Sequence, residues 1–157
     1  MDGLDVDPGF SVFPQKHTCN GENISPKIGI RGLQTPYLAI ILEDPDAPGG
    51  TYTHWLIWNV DATGTLPEGL PAEREMTDPI AAVQGTNDHG SIGYFGPCPP
   101  RETTHRFFFR VYGMREAIDL EPGAGRVAFE DALKDVIEQY GEAMAAYGRK
   151  VAAWAGA

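Results

Sequence analysis

Three blocks of apolar residues, separated by turn-rich sequence, stand out along the first two thirds of the chain. Tyr37 to Glu43 (YLAIILE) is a continuous apolar run of strand length, the pattern of a fully buried strand. His54 to Val60 (HWLIWNV) and His105 to Tyr112 (HRFFFRVY) read as two further strands. Side chains alternate across a strand. His105 therefore shares a face with Phe107, Phe109 and Val111, and Arg106, Phe108 and Arg110 lie on the other. By the same rule His54 lies with Leu56, Trp58 and Val60. Each histidine heads a strand, on the face that carries large apolar side chains.

The pattern changes toward the C-terminus. Phe129, Leu133, Val136, Ile137, Tyr140, Met144, Tyr147 and Val151 recur at steps of three and four, which predicts one long amphipathic helix. Gly141 and Gly148 weaken it locally. Between the second and third strands, Asp61 to Thr104 shows little periodicity. A connection this long inside one domain is usually functional or disordered. Its second half (QGTNDHGSIGYFGPCPP) ends at His105 and reads as a binding loop.

The length of 157 residues suits one domain, taken as 1–157, and 42% hydrophobic residues is ordinary for a globular chain. No apolar run approaches the ~20 residues of a membrane span, so no stable membrane insertion is expected. The first eight residues carry Asp2, Asp5 and Asp7 and no basic residue, the wrong charge for a signal peptide, which points to the cytoplasm. Twelve basic against 22 acidic residues give a net charge of −10. Such a surface repels nucleic acid and anionic lipid, so no nucleic-acid partner is expected. Cys19 and Cys98 form neither a disulfide framework nor a zinc ribbon; a reducing cytosol favours free thiols, and whether the two bond is left open.

Candidate chemistry concentrates in two motifs. Asp44-Pro45-Asp46-Ala47-Pro48 follows the buried strand, and its two prolines restrain the backbone around two carboxylates. His54 and His105 are the other candidates. Two carboxylates and two imidazoles could hold zinc or iron, but no HxH, HExxH or CxxC spacing is present, and no metal is expected. Cys98, in Gly96-Pro97-Cys98-Pro99-Pro100, precedes His105 by seven positions. A Cys–His nucleophile is conceivable on paper, but no recognised nucleophile motif surrounds it. P-loop and dinucleotide fingerprints are absent, and no cofactor is expected.

Together these segments resemble the phosphatidylethanolamine-binding proteins, or Raf kinase inhibitor-like proteins, most closely their bacterial and archaeal branch. Five blocks carry the resemblance in order: His17 to Pro26 (HTCNGENISP), Glu43 to Gly50 (EDPDAPGG), His54 to Val60, Gln84 to Asp88 (QGTND), and Gly96 to Phe107 (GPCPPRETTHRF). It covers about residues 10–149. It implies a mainly β fold of two packed antiparallel sheets with a C-terminal helix. It implies a pocket for phosphate-like groups formed by Asp44, Asp46, His54, Gly96, Pro99, Pro100, His105 and Phe107. Arg106 should point away and brace the carboxylate turn. Cys19 and Cys98 should be neighbours, since both blocks border that pocket.

The expected function is non-catalytic binding of a small phosphate- or carboxylate-bearing ligand. The prolines leave backbone donors at Gly96 and Cys98, and protonated histidines supply charge. An alternative is inhibition of a kinase or protease through a protein surface; a metal-dependent hydrolase ranks third. A kinase or protease partner and a homodimer are left open. Three departures from the family pattern bear on ligand choice: Phe107 where Tyr is usual, Glu102 where Gly is usual, and Tyr94-Phe95-Gly96 in place of a more Gly-rich stretch. A cis peptide is also expected in the pocket turns, at Ala47–Pro48.

Overall fold

β-Branched and aromatic side chains, alternating across extended backbone, build the strands of the chain, which the computed structural model describes for residues 3–149. In order the elements are β1 (Asp5–Asp7), a 3-10 turn (Gln15–His17), β2 (Ile28–Arg31), β3 (Tyr37–Asp44), β4 (Tyr52–Asp61), β5 (Thr65–Leu66), β6 (Glu75–Met76), β7 (Ala82–Gln84), β8 (Thr104–Met114), α1 (Arg126–Leu133) and β9 (Ile137–Gly148). The large sheet runs β6-β7-β4-β3-β8-β9 and the small one β1-β2-β5. Every strand pairing within them is antiparallel. This is the expected class: two antiparallel sheets with a helix near the C-terminus.

The continuous apolar run of β3 has a direct cause. Leu38, Ile40 and Leu42 pack with Ile28, Ile30 and Leu66 of the small sheet, whereas Ala39 and Ile41 pack with Phe129 and Leu133 of α1. Both faces of the strand are covered, so neither can be polar. In β8, Phe107, Phe109 and Val111 join the core between the sheets, as alternation from His105 requires.

Strand β4 departs from simple alternation. Its register against β3 slips twice, between Leu42 and Glu43 and between Leu38 and Ile40. Leu42 pairs with Trp55 and Glu43 with Thr53, so His54 is an extra residue on β4. A second bulge surrounds Asn59, which has φ 50°. Each bulge resets which side a residue faces. The expected grouping of His54 with Leu56, Trp58 and Val60 is therefore corrected. Leu56 and Trp58 pack in the α1 layer, Val60 in the core between the sheets, and His54 against Phe107.

The long C-terminal helix is also corrected. Helix α1 ends at Leu133, and Ile137–Gly148 is a strand paired along β8. The inward residues of β9 are Gln139, Gly141 and Ala145, small or polar, while Tyr140 and Met144 face outward. A side chain at Gly141 would collide with the backbone of Leu4, which crosses there. In β9 the period-2 signal is thus carried by small or polar residues, and the helical spacing that is real for Phe129 and Leu133 of α1 continues into the strand only by coincidence. Val151 lies outside the described residues. Ala47–Pro48 is trans; among the described residues the cis peptide is Asp78–Pro79.

The two thiols form a disulfide, Cys19–Cys98, with Cα atoms 5.4 Å apart and a sequence separation of 79. The expected proximity holds, and of the two states left open for the thiols the bonded one is found, not the favoured free one. The bond ties the segment after the 3-10 turn to the loop before β8, beside a backbone bond from Cys19 N–H to the Pro97 carbonyl at 3.1 Å. A cross-link spanning this much chain stabilises a fold by about 2–5 kcal/mol. The Cys19→Ser/Cys98→Ser double variant should lose stability in that range in chemical denaturation against the oxidised protein; equal midpoints would contradict this.

Candidate functional site

Where β3 ends, Asp44 turns its carboxylate to two partners. One oxygen accepts the Asp46 backbone N–H at 2.8 Å, closing the Asp-Pro-Asp turn. The other accepts from His105 Nδ1 at 2.6 Å. Asp44 and His105 are 3% and 6% exposed, so this charge-assisted bond is shielded from water. Because His105 Nδ1–H donates to Asp44, Nε2 is the ring atom of His105 that remains for a ligand.

His54 is oriented the same way by a different acceptor. Its Nδ1 donates to the Phe95 carbonyl at 2.6 Å, and the Phe95 N–H donates back to the His54 carbonyl at 3.1 Å. The bulge in β4 places this ring edge-on against Phe107 at 5.4 Å between centroids. Burial depresses the His54 pKa below its usual 6.5, opposed by the Phe95 carbonyl, Asp44 and Asp88.

These groups open on a cavity of about 410 Å³ lined by Asp44, His54, His105, Pro99 and Pro100, all expected, and by Ala47, Pro48, Tyr52, His89, Phe95 and Cys98. Three expected residues sit elsewhere. Asp46 is held outside by Arg106, whose backbone N–H, Nε and NH2 lie at 2.9, 2.9 and 2.8 Å from its oxygens. That guanidinium holds the Asp46 carboxyl well below the usual carboxylate range. Arg106 braces the turn from the opposite face, as expected. Gly96 packs beneath the loop, where a side chain would strike the His17 carbonyl. Its N–H donates to Asn23 Oδ1 at 2.8 Å, so it is no longer a donor for a ligand. Phe107 is fully buried against His54 and His105.

Tyr52 and His89 were missed by the sequence reading. Tyr52 brings a phenol to the cavity that lacks one at Phe107, and burial followed by Asp88 raises its pKa, keeping the hydroxyl protonated. His89 belongs to a loop organised by buried Asn87, whose Oδ1 accepts the N–H of His89 at 3.0 Å and of Ser91 at 3.1 Å. Asp88 fastens that loop to β4 through Thr53 N–H to Oδ2 at 2.7 Å. The signal available was a histidine in a glycine-rich segment already read as a binding loop. Glu102, where glycine is usual, sits at φ 66°, in the left-handed region that favours glycine.

A hydroxyl also approaches the dyad. Thr103 Oγ1 lies 3.4 Å from His105 Nε2, which places Thr103, His105 and Asp44 in the order of a nucleophile, base and orienter. The hydroxyl proton, however, is donated to the Pro100 carbonyl at 2.6 Å, so it is not aimed at the imidazole. Cys98 is no nucleophile while its sulfur is in the disulfide.

Comparison with known proteins gives a consistent relationship. A family model described as phosphatidylethanolamine-binding protein matches residues 5–148. A UPF0098 protein of Pyrococcus horikoshii is 46% identical over 141 residues, covering 88% of this chain and 71% of the relative. A phosphatidylethanolamine-binding protein homolog of Chlamydia trachomatis has a solved structure that superposes with a TM-score of 0.83 at 30% identity, covering 95% and 99% of the two chains. E. coli YbcL, described as a new member of the mammalian PEBP family, superposes with a TM-score of 0.79 at 27% identity, covering 93% and 97%.

The depressed His54 pKa has a consequence for stability. The folded state resists a proton that the unfolded chain accepts below about 6.5. The stability is therefore present above that pH and falls as pH drops below it, by up to about 1.4 kcal/mol per pH unit for one proton. Urea unfolding at pH 7.5, 6.5 and 5.5 should show wild type losing more on acidification than His54→Gln; a difference constant with pH would contradict the assignment.

Proposed function

The chain belongs to the phosphatidylethanolamine-binding protein family, and from that premise we propose that it binds a small anionic ligand in the Asp44–His54–His105 pocket without chemical turnover. The observation that carries this reading is the matched orientation of two buried imidazoles. Each has Nδ1 committed, His105 to Asp44 and His54 to the Phe95 carbonyl, which leaves Nε2 as its polar atom for a ligand. Protonation turns each Nε2 from an acceptor into a charged donor. Among the described lining residues the chargeable nitrogen groups are histidines, with Arg149 behind the rim, donating to the Pro99 carbonyl at 3.3 Å.

The geometry favours binding over turnover. The Thr103 hydroxyl beside the dyad gives its proton to the Pro100 carbonyl, and the pocket cysteine is oxidised. The carboxylates do not converge as metal ligands would, because Asp46 is turned to Arg106. A Thr103 nucleophile is the second reading, favoured by its 3.4 Å approach to His105. It predicts phosphoester or ester turnover that disappears in Thr103→Val.

Calorimetric titration with sulfate, which does not titrate in this range, tests the binding reading. Affinity should fall as pH rises from 5 to 8 at fixed ionic strength. Burial of His54 disfavours its charged form and moves its share toward the acid end. His105→Ala should cost at least tenfold at pH 5.5. Sulfate affinity that is flat with pH and unchanged in both histidine variants would overturn the role of the imidazoles.

A further inference from the structure

We propose that the outer face of the small sheet carries a second ligand site, a cavity that takes a small monocarboxylate with a short apolar body and that the Glu68 side chain fills when no ligand is bound. Alternation along β2 buries Ile28 and Ile30 in the core and turns Lys27 and Gly29 outward. Gly29 pairs with Asp7 of β1 on one side and Thr65 of β5 on the other, and all four outward residues line a cavity of about 310 Å³. This cavity shares no lining residue with the Asp44 pocket. The chain after β1 forms its wall. There His17 is 3% exposed, and its Nδ1 donates to the Ile24 carbonyl at 2.8 Å. Phe10 stacks on that ring with centroids 5.7 Å apart.

The cavity already holds one carboxylate. Glu68, from the loop after β5, places Oε1 2.9 Å from Lys16 Nζ and 3.6 Å from His17 Nε2. The bond to Lys16, with the charges of Lys16, His17 and Lys27 added, holds the Glu68 carboxyl below its usual range. In a chain of net charge −10 this is a local concentration of positive charge. The internal carboxylate is weakly held. The Lys16 and Glu68 side chains are 48% and 40% exposed, and an exposed pair favours its closed arrangement by about fivefold at most. The backbone beyond Glu68 is pinned, because the N–H groups of Gly69 and Leu70 donate to Ser25 at 2.9 and 3.0 Å. A swing of the Glu68 side chain is therefore enough to free Lys16.

Charge selects the ligand. With Glu68 turned to solvent and the His17 ring uncharged, Lys16 and Lys27 face Asp7 across the cavity, one positive charge in excess. A single carboxylate balances it, and a second would meet Asp7, whose Oδ1 is already committed to the Gly9 N–H at 2.7 Å. Phe10, Pro8 and Pro14 offer apolar surface to the rest of the molecule. A side chain at Gly29 would meet Asp7 at ordinary contact distances of 3.5 and 3.7 Å, so it would grow into this space without strain.

Calorimetric titration of the full chain with acetate, butyrate and succinate, at one pH and ionic strength, tests this. Butyrate should bind about tenfold more tightly than acetate, since each buried methylene adds up to about fourfold, and more tightly than succinate. Glu68→Gln should tighten butyrate binding several-fold, and Lys27→Met should weaken it several-fold. Gly29→Leu should erase the advantage of butyrate over acetate. Succinate binding as tightly as butyrate overturns the inference, as does a butyrate affinity unchanged in both Glu68→Gln and Lys27→Met. Butyrate binding that is lost in His105→Ala and kept in Lys27→Met places the ligand in the Asp44 pocket and overturns it too, and so does the absence of binding to both wild type and Glu68→Gln.

Discussion

One hydrogen bond, from His105 Nδ1 to Asp44 at 2.6 Å, joins the two strands that meet at the pocket and sets the chemistry that faces it. Two charged or chargeable groups this deeply buried are stable only if each satisfies the other. The turn after β3 supplies the carboxylate at a fixed angle, because Asp44 also accepts the Asp46 N–H. Arg106 then clamps Asp46 from the opposite face of β8. Neighbouring residues of one strand, His105 and Arg106, thus grip two carboxylates of one turn from opposite sides. Strand alternation alone makes that possible.

The second histidine reaches the same cavity by an irregularity. His54 is the extra residue of a β-bulge, so its side chain joins Phe107 although its alternation partners Leu56 and Trp58 pack under α1. Bulges re-aim single side chains next to sites in this way. Around the two imidazoles the loops are fastened independently. Asn87 organises the segment that carries His89, Tyr94 Oη donates to the His17 carbonyl at 2.6 Å, and the Cys19–Cys98 disulfide anchors the rim. The cavity is therefore framed by connections rather than by an apolar core of its own.

Much of this was legible in the sequence, for identifiable reasons. The apolar run of β3 and the alternation of β8 are direct records of what each strand touches, and both read correctly. The Asp-Pro-Asp turn, Arg106 and both histidines were found because their chemistry is unusual for their positions. What failed did so where the backbone departs from regularity or the signal is silent. A bulge leaves no periodic trace, so the face of His54 was misread. The inner face of β9 is written in Gln139, Gly141 and Ala145, and a hydrophobic count does not register such residues. Asp46 and Gly96 carry the right residue types but spend them inside the scaffold, on Arg106 and Asn23. The cysteine pair depended on a contact across 79 residues that spacing alone does not encode.

The central claim is that Asp44 fixes the proton of His105 on Nδ1 and leaves Nε2 to the ligand. Long-range ¹H–¹⁵N correlation spectra of the histidine rings observe this directly. The account predicts that the neutral His105 ring carries its proton on Nδ1, that Asp44→Asn disturbs this preference, and that sulfate adds a proton at Nε2. A neutral His105 with its proton on Nε2, or a tautomer indifferent to Asp44→Asn, would contradict it.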